Sequence, residues 1–240
     1  EFVPSGMSLQ NSQDGDFQIG TGFLYKYSGS KTNVKVPEGV RYISNNAFAN
    51  NKRISSLLIS DGVETIGNNA FSYCTSLSSV QIPGSVKEIG KSAFSGCECL
   101  TSIVIPEGVQ TIKENAFENC VALTSASIPR SVKRIGRSIF SGCKRLASVV
   151  IPEGVQTIKE NAFEGCIALC NVSIPGSVKE IGKSAFSGCE CLTSIVIPDG
   201  VQTIRENAFE GCIALCNLKL PNSLIEVGDF AFSGCYNLKN

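Results

Sequence analysis

A 23-residue period runs through most of this 240-residue chain and constrains its fold more than any other feature. Proline stands at 37, 83, 106, 129, 152, 175, 198 and 221, with Ser60 in the one gap. Counting from the proline as zero, Val or Leu recurs at plus three, from Val40 to Leu224. Ile or Val recurs at plus six, from Ile43 to Val227. Phe holds plus eleven without exception, from Phe48 to Phe232, mostly behind an Ala. Cys holds plus fourteen in eight of nine units, with Asn51 the exception, and Leu or Ile follows at plus seventeen. One unit of this size cannot bury its own Val, Ile, Ala, Phe, Cys and Leu. Stacked units can, each covering the next.

Within a unit, Leu100-x-x-Ile103-x-Ile105 alternates at its end like a short strand with one buried face. Proline closes the strand because it has no N–H for a ladder. The following Gly84-Ser85, or Gly108 in the sister type, suits a turn. Residues 91–97, Lys-Ser-Ala-Phe-Ser-Gly-Cys, fit a single helical or 3-10 turn that plugs Phe into the core. Two subtypes alternate, Pro-Gly-Ser-Val-Lys-Glu-Ile-Gly and Pro-Glu-Gly-Val-Gln-Thr-Ile-Lys, giving a superperiod of 46 residues. Residues 83–105 and 175–197 are identical, which points to recent duplication.

The run Leu-x-x-Ile-x-Ile-Pro, then Val-x-x-Ile-Gly-x-x-Ala-Phe-x-x-Cys, resembles the BspA-like subfamily of leucine-rich repeats. The resemblance covers residues 37–240 as nine repeats, the last incomplete. It implies an α/β repeat solenoid: a right-handed leucine-rich-repeat horseshoe with a parallel β-sheet on the concave face and short helical or 3-10 turns on the convex side. Ser60 for proline, Asn51 for cysteine and Ile139 for alanine are the departures. Residues 16–27 read as a hairpin, within an amino-terminal β-hairpin cap at 14–36. Residues 1–13 read as a cloning scar and disordered lead-in, with Met7 as a native start and no basic, hydrophobic signal peptide. The resemblance also implies a bacterial protein, secreted or at the cell surface, that serves adhesion or partner recognition. A structural spacer is the competing class, and a cytoplasmic interaction protein, favoured by Met7 and the unpaired cysteines, is the third.

Chemistry has little to stand on. Histidine is absent, which removes the usual general base and metal ligand, and with them Ser-His-Asp and Cys-His arrangements. Glu88, Glu107, Glu114 and Glu160 recur because the repeats recur, and read as a solvated face. No glycine-rich phosphate loop is present, so an enzyme and a cofactor are not expected. Twenty-one basic residues balance twenty-one acidic ones, and no global field attracts nucleic acid or an anionic membrane. No apolar run approaches the roughly 20 residues that span a bilayer. The plus-fourteen cysteines read as a buried, reduced row. Neighbours in it lie about 4.8 Å apart with parallel side chains, a poor disulfide geometry. Cys99 and Cys191 are separated by four coils, and Cys170 and Cys216 by two, so neither pair closes.

Two surfaces are candidate sites for a protein or glycan ligand. The first is the outward row of the strands, Gln81, Val104, Ser127, Val150, Ser173 and Val196, beside a second row of Ser and Asn. The second is the coil at residues 129–151, where Arg130, Lys133, Arg134, Arg137, Lys144 and Arg145 occur with no acid. The last unit replaces polar residues by Ile225 and Phe230, and the chain stops at Asn240. The expectation there is either a removed carboxy-terminal segment or end-to-end self-association through those two side chains.

Overall fold

The computed structural model describes residues 9–13 and 15–238. It is a parallel β-solenoid whose coils stack with a repeat of 23 residues, and each coil contributes two short strands.

At the amino-terminal end β1 (Gln10–Asn11), β2 (Phe17–Gly20) and β3 (Phe23–Tyr27) pair antiparallel in chain order. β1 falls inside the span read as lead-in, residues 1–8 of which lie outside the described residues. β4 (Asn33–Lys35) starts the first parallel ladder, which continues through Ser56–Leu58 and Ser79–Gln81. It resumes from Ser102–Val104 to Asn171–Ser173, and again from Ser194–Val196 to Asn217–Lys219. β5 (Tyr42–Ile43) starts the second ladder beside β3, with Leu24 opposite Ile43. That ladder runs through the plus-five and plus-six positions of every coil as far as Glu226–Val227. Among the described residues the first ladder is interrupted between Gln81 and Val104 and between Ser173 and Val196, and the second between Ile112 and Ile135.

The expected helical or 3-10 turn is a correction: among the described residues no helix forms. Left-handed residues at plus nine and plus thirteen bracket the Phe and the residue before it in every coil, such as Ser92 and Gly96, or Asn115 and Asn119. Neither continues a right-handed helix. Backbone hydrogen bonds alternate in consequence. In the coil at 83–105 the N–H groups of Ser92, Phe94 and Gly96 donate to Glu114, Ala116 and Glu118 of the next coil. Those of Ala93, Ser95 and Cys97 donate three residues back within their own coil. A helix would hold both sets to itself. Here half of them tie coil to coil, so the turn side is a third hydrogen-bonded seam.

The core is columnar. Eight successive phenylalanines, Phe48 to Phe209, are buried, and each ring stacks on the next at 4.7–5.8 Å, ending on Phe232. Tyr27 of β3 stacks on Phe48 at 5.2 Å, so the hairpin supplies the first ring of the column. Burying one such side chain contributes roughly 1.5–3 kcal/mol.

The 46-residue superperiod has a structural reason at plus eight. Lys91 pairs with Glu114 at 2.6 Å, Arg137 with Glu160, and Lys183 with Glu206 at 2.8 Å. One subtype brings the cation and its neighbour the carboxylate. A similar exchange joins Glu88 to Lys113 at 2.7 Å and Glu180 to Arg205 at 3.4 Å. Exposed pairs of this kind contribute little individually, about 0–1 kcal/mol, and they match one subtype to the other across each coil boundary.

Candidate functional site

On the first ladder the middle residue of each strand points into the core and its two neighbours point out. Ile103, Val149 and Ile195 are buried, whereas Val104, Val150 and Val196 are 70%, 68% and 60% exposed. Parallel register places Val104, Ser127, Val150 and Ser173 in one row, each opposite the next. Beside it, Ser102, Ser125, Ser148 and Asn171 form a second row in the same register. Over these four strands the outer face is therefore uncharged, with isopropyl ridges alternating with hydroxyls.

The ladder interruptions divide the six candidate strand residues. Val104, Ser127, Val150 and Ser173 share one sheet, Val196 begins the next, and Gln81 closes an earlier one. A groove of about 480 Å³ spans the second interruption, lined by Ser148, Val150, Asn171, Ser173, Ser194 and Val196. Gln81 sits instead in a separate cleft of about 270 Å³ with Lys35, Glu38, Leu58 and Asp61, where Lys35 and Glu38 pair at 2.7 Å.

The six cations of the basic coil are all exposed, but they are spread around its circumference. Arg130 holds plus one, Lys133 and Arg134 plus four and five, Arg137 plus eight, and Lys144 and Arg145 plus fifteen and sixteen. Arg137 is paired with Glu160, and this hydrogen bond holds its guanidinium above the ordinary arginine range. The Arg130 N–H donates to Glu107 at 3.2 Å, and Lys133 Nζ donates to the Arg130 carbonyl at 3.0 Å. Arg134, Lys144 and Arg145 form no ion pair among the described residues.

All twelve cysteines are free. The eight at plus fourteen are buried, and each thiol donates to the carbonyl of the preceding coil's Phe, as Cys120 does to Phe94 at 3.2 Å. Burial pushes the Cys74 thiol up to about 12, and raises Cys97, Cys120, Cys143 and Cys166 as well. Burial keeps these five thiols in the protonated form. Among the described residues no cluster of three metal-ligating side chains occurs. Cys99, Cys170, Cys191 and Cys216 are exposed. Desolvation, and then a hydrogen bond to Cys191, raise the Cys170 thiol. Comparing plus sixteen only with plus sixteen, and plus eighteen only with plus eighteen, misses this neighbour across coils.

At the carboxy-terminal end Ile225 and Phe230 are 80% and 69% exposed, on the same coil as exposed Val227 and Tyr236. Among the described residues no helix is long and apolar enough to cross a membrane.

Comparison with known proteins agrees with this geometry. A family model described as the BspA type leucine rich repeat region matches residues 18–147 and 135–240, in six copies. The chain is similar to a leucine-rich repeat protein from Bacteroides ovatus, with 25% identity and a TM-score of 0.58, over 99% of this chain and 81% of that one. It is also similar to a leucine-rich repeat protein of T. pallidum, with 27% identity and a TM-score of 0.49, over 100% of this chain and 92% of the other. The pneumococcal vaccine antigen PcpA shares the fold at 18% identity and a TM-score of 0.50, over 96% of this chain and 70% of its own. No curated protein matches the chain.

Proposed function

This chain belongs to the BspA-type leucine-rich-repeat family, and we propose that it is a non-catalytic scaffold that binds an extended protein segment along its strand face. The observation that carries this reading is the register of Val104, Ser127, Val150 and Ser173 in one exposed, uncharged row that ends in the groove at Val196. An extended segment meets such a surface with alternate side chains between the valine ridges, while its polar groups find the serine and asparagine row. Burying three exposed valines excludes water from the contact centre, where affinity is concentrated.

The basic coil is the weaker candidate, because its cations are dispersed and Arg137 is already paired with Glu160. An adhesion or partner-recognition role, at the cell surface or after secretion, is what the family resemblance implies. The twelve free thiols favour the cytoplasmic reading of the same scaffold.

The test is capture of partners from the source organism's own lysate and surface fraction by the parent chain and by a V104E/V150E/V196E variant. The variant is expected to lose at least tenfold in affinity for each captured partner. Undiminished capture by the variant would move the site to the basic coil, and capture of nothing by either chain would favour the spacer.

A further inference from the structure

We propose that Cys170 and Cys191 form a surface dithiol that closes to a disulfide between two neighbouring coils by exchange with a low-molecular-weight disulfide. The coil at 152–174 stacks on the coil at 175–197, so each residue lies beside the one 23 positions later. Ala168 is thus the neighbour of Cys191. The Cys170 thiol turns back along its own coil and donates to the Ala168 carbonyl at 3.2 Å. The backbone N–H of Cys191 donates to the Ile167 carbonyl at 3.0 Å, which pins Cys191 against the same turn. Both residues are exposed, and Cys191 is close enough to raise the Cys170 thiol. One coil spacing, about 4.8 Å, separates Ala168 from Cys191, and the Cys170 thiol is turned back onto Ala168.

The arrangement occurs once. It needs a cysteine at plus eighteen of one coil and at plus sixteen of the next. Cys99 holds plus sixteen, but Ser78 stands opposite it at plus eighteen of the coil before. Cys216 holds plus eighteen, but Asn237 stands opposite it at plus sixteen of the coil after. Its thiol is directed to the Thr193 carbonyl at 3.4 Å. The plus-fourteen thiols are stacked but buried, each engaged with a Phe carbonyl, out of reach of a dissolved disulfide.

In the exchange one protein thiolate attacks a sulfur of the small disulfide. The S–S bond breaks, a mixed disulfide forms, and one small thiolate leaves and takes up a proton. The second protein thiol gives its proton to solvent and attacks the mixed disulfide at the protein sulfur. The inter-coil bond forms and the second small thiol leaves. Two protein thiols are oxidised and one small disulfide is reduced to two thiols. The new bond lies directly before Asn171–Ser173 and three residues before Ser194–Val196, at the seam where the first ladder lacks its hydrogen bonds. It would clamp the groove that spans this seam on the strand face.

The experiment is incubation of the full chain with oxidised glutathione at neutral pH, acid quench, alkylation and peptide mapping. The expected product is a linked peptide pair containing Cys170 and Cys191, with the reactive exposed thiols falling from four to two. C170S and C191S should each retain a glutathione adduct on the remaining cysteine, whereas C99S and C216S should close the bond as the parent does. Stable glutathione adducts on Cys170 and Cys191 in the parent, or a link from Cys191 to Cys216, would overturn the proposal.

Discussion

The thiol of Cys97 donates a hydrogen bond to the carbonyl oxygen of Phe71, in the coil before it, at 3.2 Å. The same carbonyl also accepts the backbone N–H of Cys74, three residues on in its own coil. The Phe carbonyls from Phe48 to Phe209 are therefore doubly used, and the cysteine row is a column of weak donors as well as small apolar filler. Replacing Cys120 by Ala removes both the sulfur and the donor from a site with no exposure. The expected loss is about 1–3 kcal/mol, a sum of cavity and hydrogen-bond costs, read from urea unfolding. A change smaller than a few tenths would mean that the bond contributes nothing.

The same burial gives the chain an alkaline limit. Cys74 has its pKa raised from 9.0 to about 12 in the fold. Between those values the folded state keeps a proton that the unfolded state gives up. Unfolding then releases protons, and stability falls as pH rises. Below the unfolded value the stabilisation is complete, and it is lost progressively as pH climbs through the folded one. Each such thiol removes about 1.4 kcal/mol per pH unit in that window. Melting temperature measured from pH 8 to pH 11 (about the window set by these pKa values) should fall steeply, and less steeply in C74A.

The column positions were legible because burial repeats at a fixed step. Val40, Ile43, Phe48 and Ile54 recur in every unit, and all four are buried. The absence of a helix was less legible. Its signal lies in the plus-nine and plus-thirteen residues, Asn46 and Asn50 in the first coil, Ser92 and Gly96 in the third, all left-handed. A helical turn is the natural reading of seven residues around Ala-Phe only if those two are taken as polar filler. The second strand is two residues long, too short to show an alternation. Asn51 also has a reason visible only in the fold: its side-chain oxygen accepts the N–H groups of Arg53 and Ile54. On the strand face the valines were legible by spacing. The groove was not, because it lies across an interruption of the ladder between two coils whose sequences give no warning of it.

Gly182 and Gly136 hold the same plus-seven position but differ in their surroundings. A Cβ at Gly182 would lie 2.8 Å from backbone atoms of Ile158 and Glu160, whereas at Gly136 the nearest atom, the Ile112 oxygen, is 3.4 Å away. The second ladder is closed at the first site and open at the second. Gly182→Ala should therefore cost about 1–3 kcal/mol, since the contact is backbone and cannot turn aside. Gly136→Ala should be neutral or stabilising by about 0.4–1 kcal/mol through the unfolded chain. Equal effects in denaturant titrations of the two variants would contradict the open seam.

Phe230 occupies plus nine, where every other coil places Asn or Ser, and it does so at φ 58°. An aromatic side chain in the left-handed region costs roughly 1 kcal/mol or more, a cost that Asn largely avoids by bonding its own backbone. Burial does not repay that cost here, since the ring is 69% exposed. Phe230→Asn should therefore stabilise the isolated chain by about 1 kcal/mol, a rise of roughly 2–4 °C in melting temperature for a chain of this size. End-to-end association through Phe230 and Ile225, expected from the sequence, predicts that light scattering of the variant shows less growth with concentration than the parent. The two readouts separate the roles. A melting temperature that falls at low concentration would mean the ring makes a stabilising contact within its own chain. Scattering that grows as in the parent would remove Phe230 from any contact between copies.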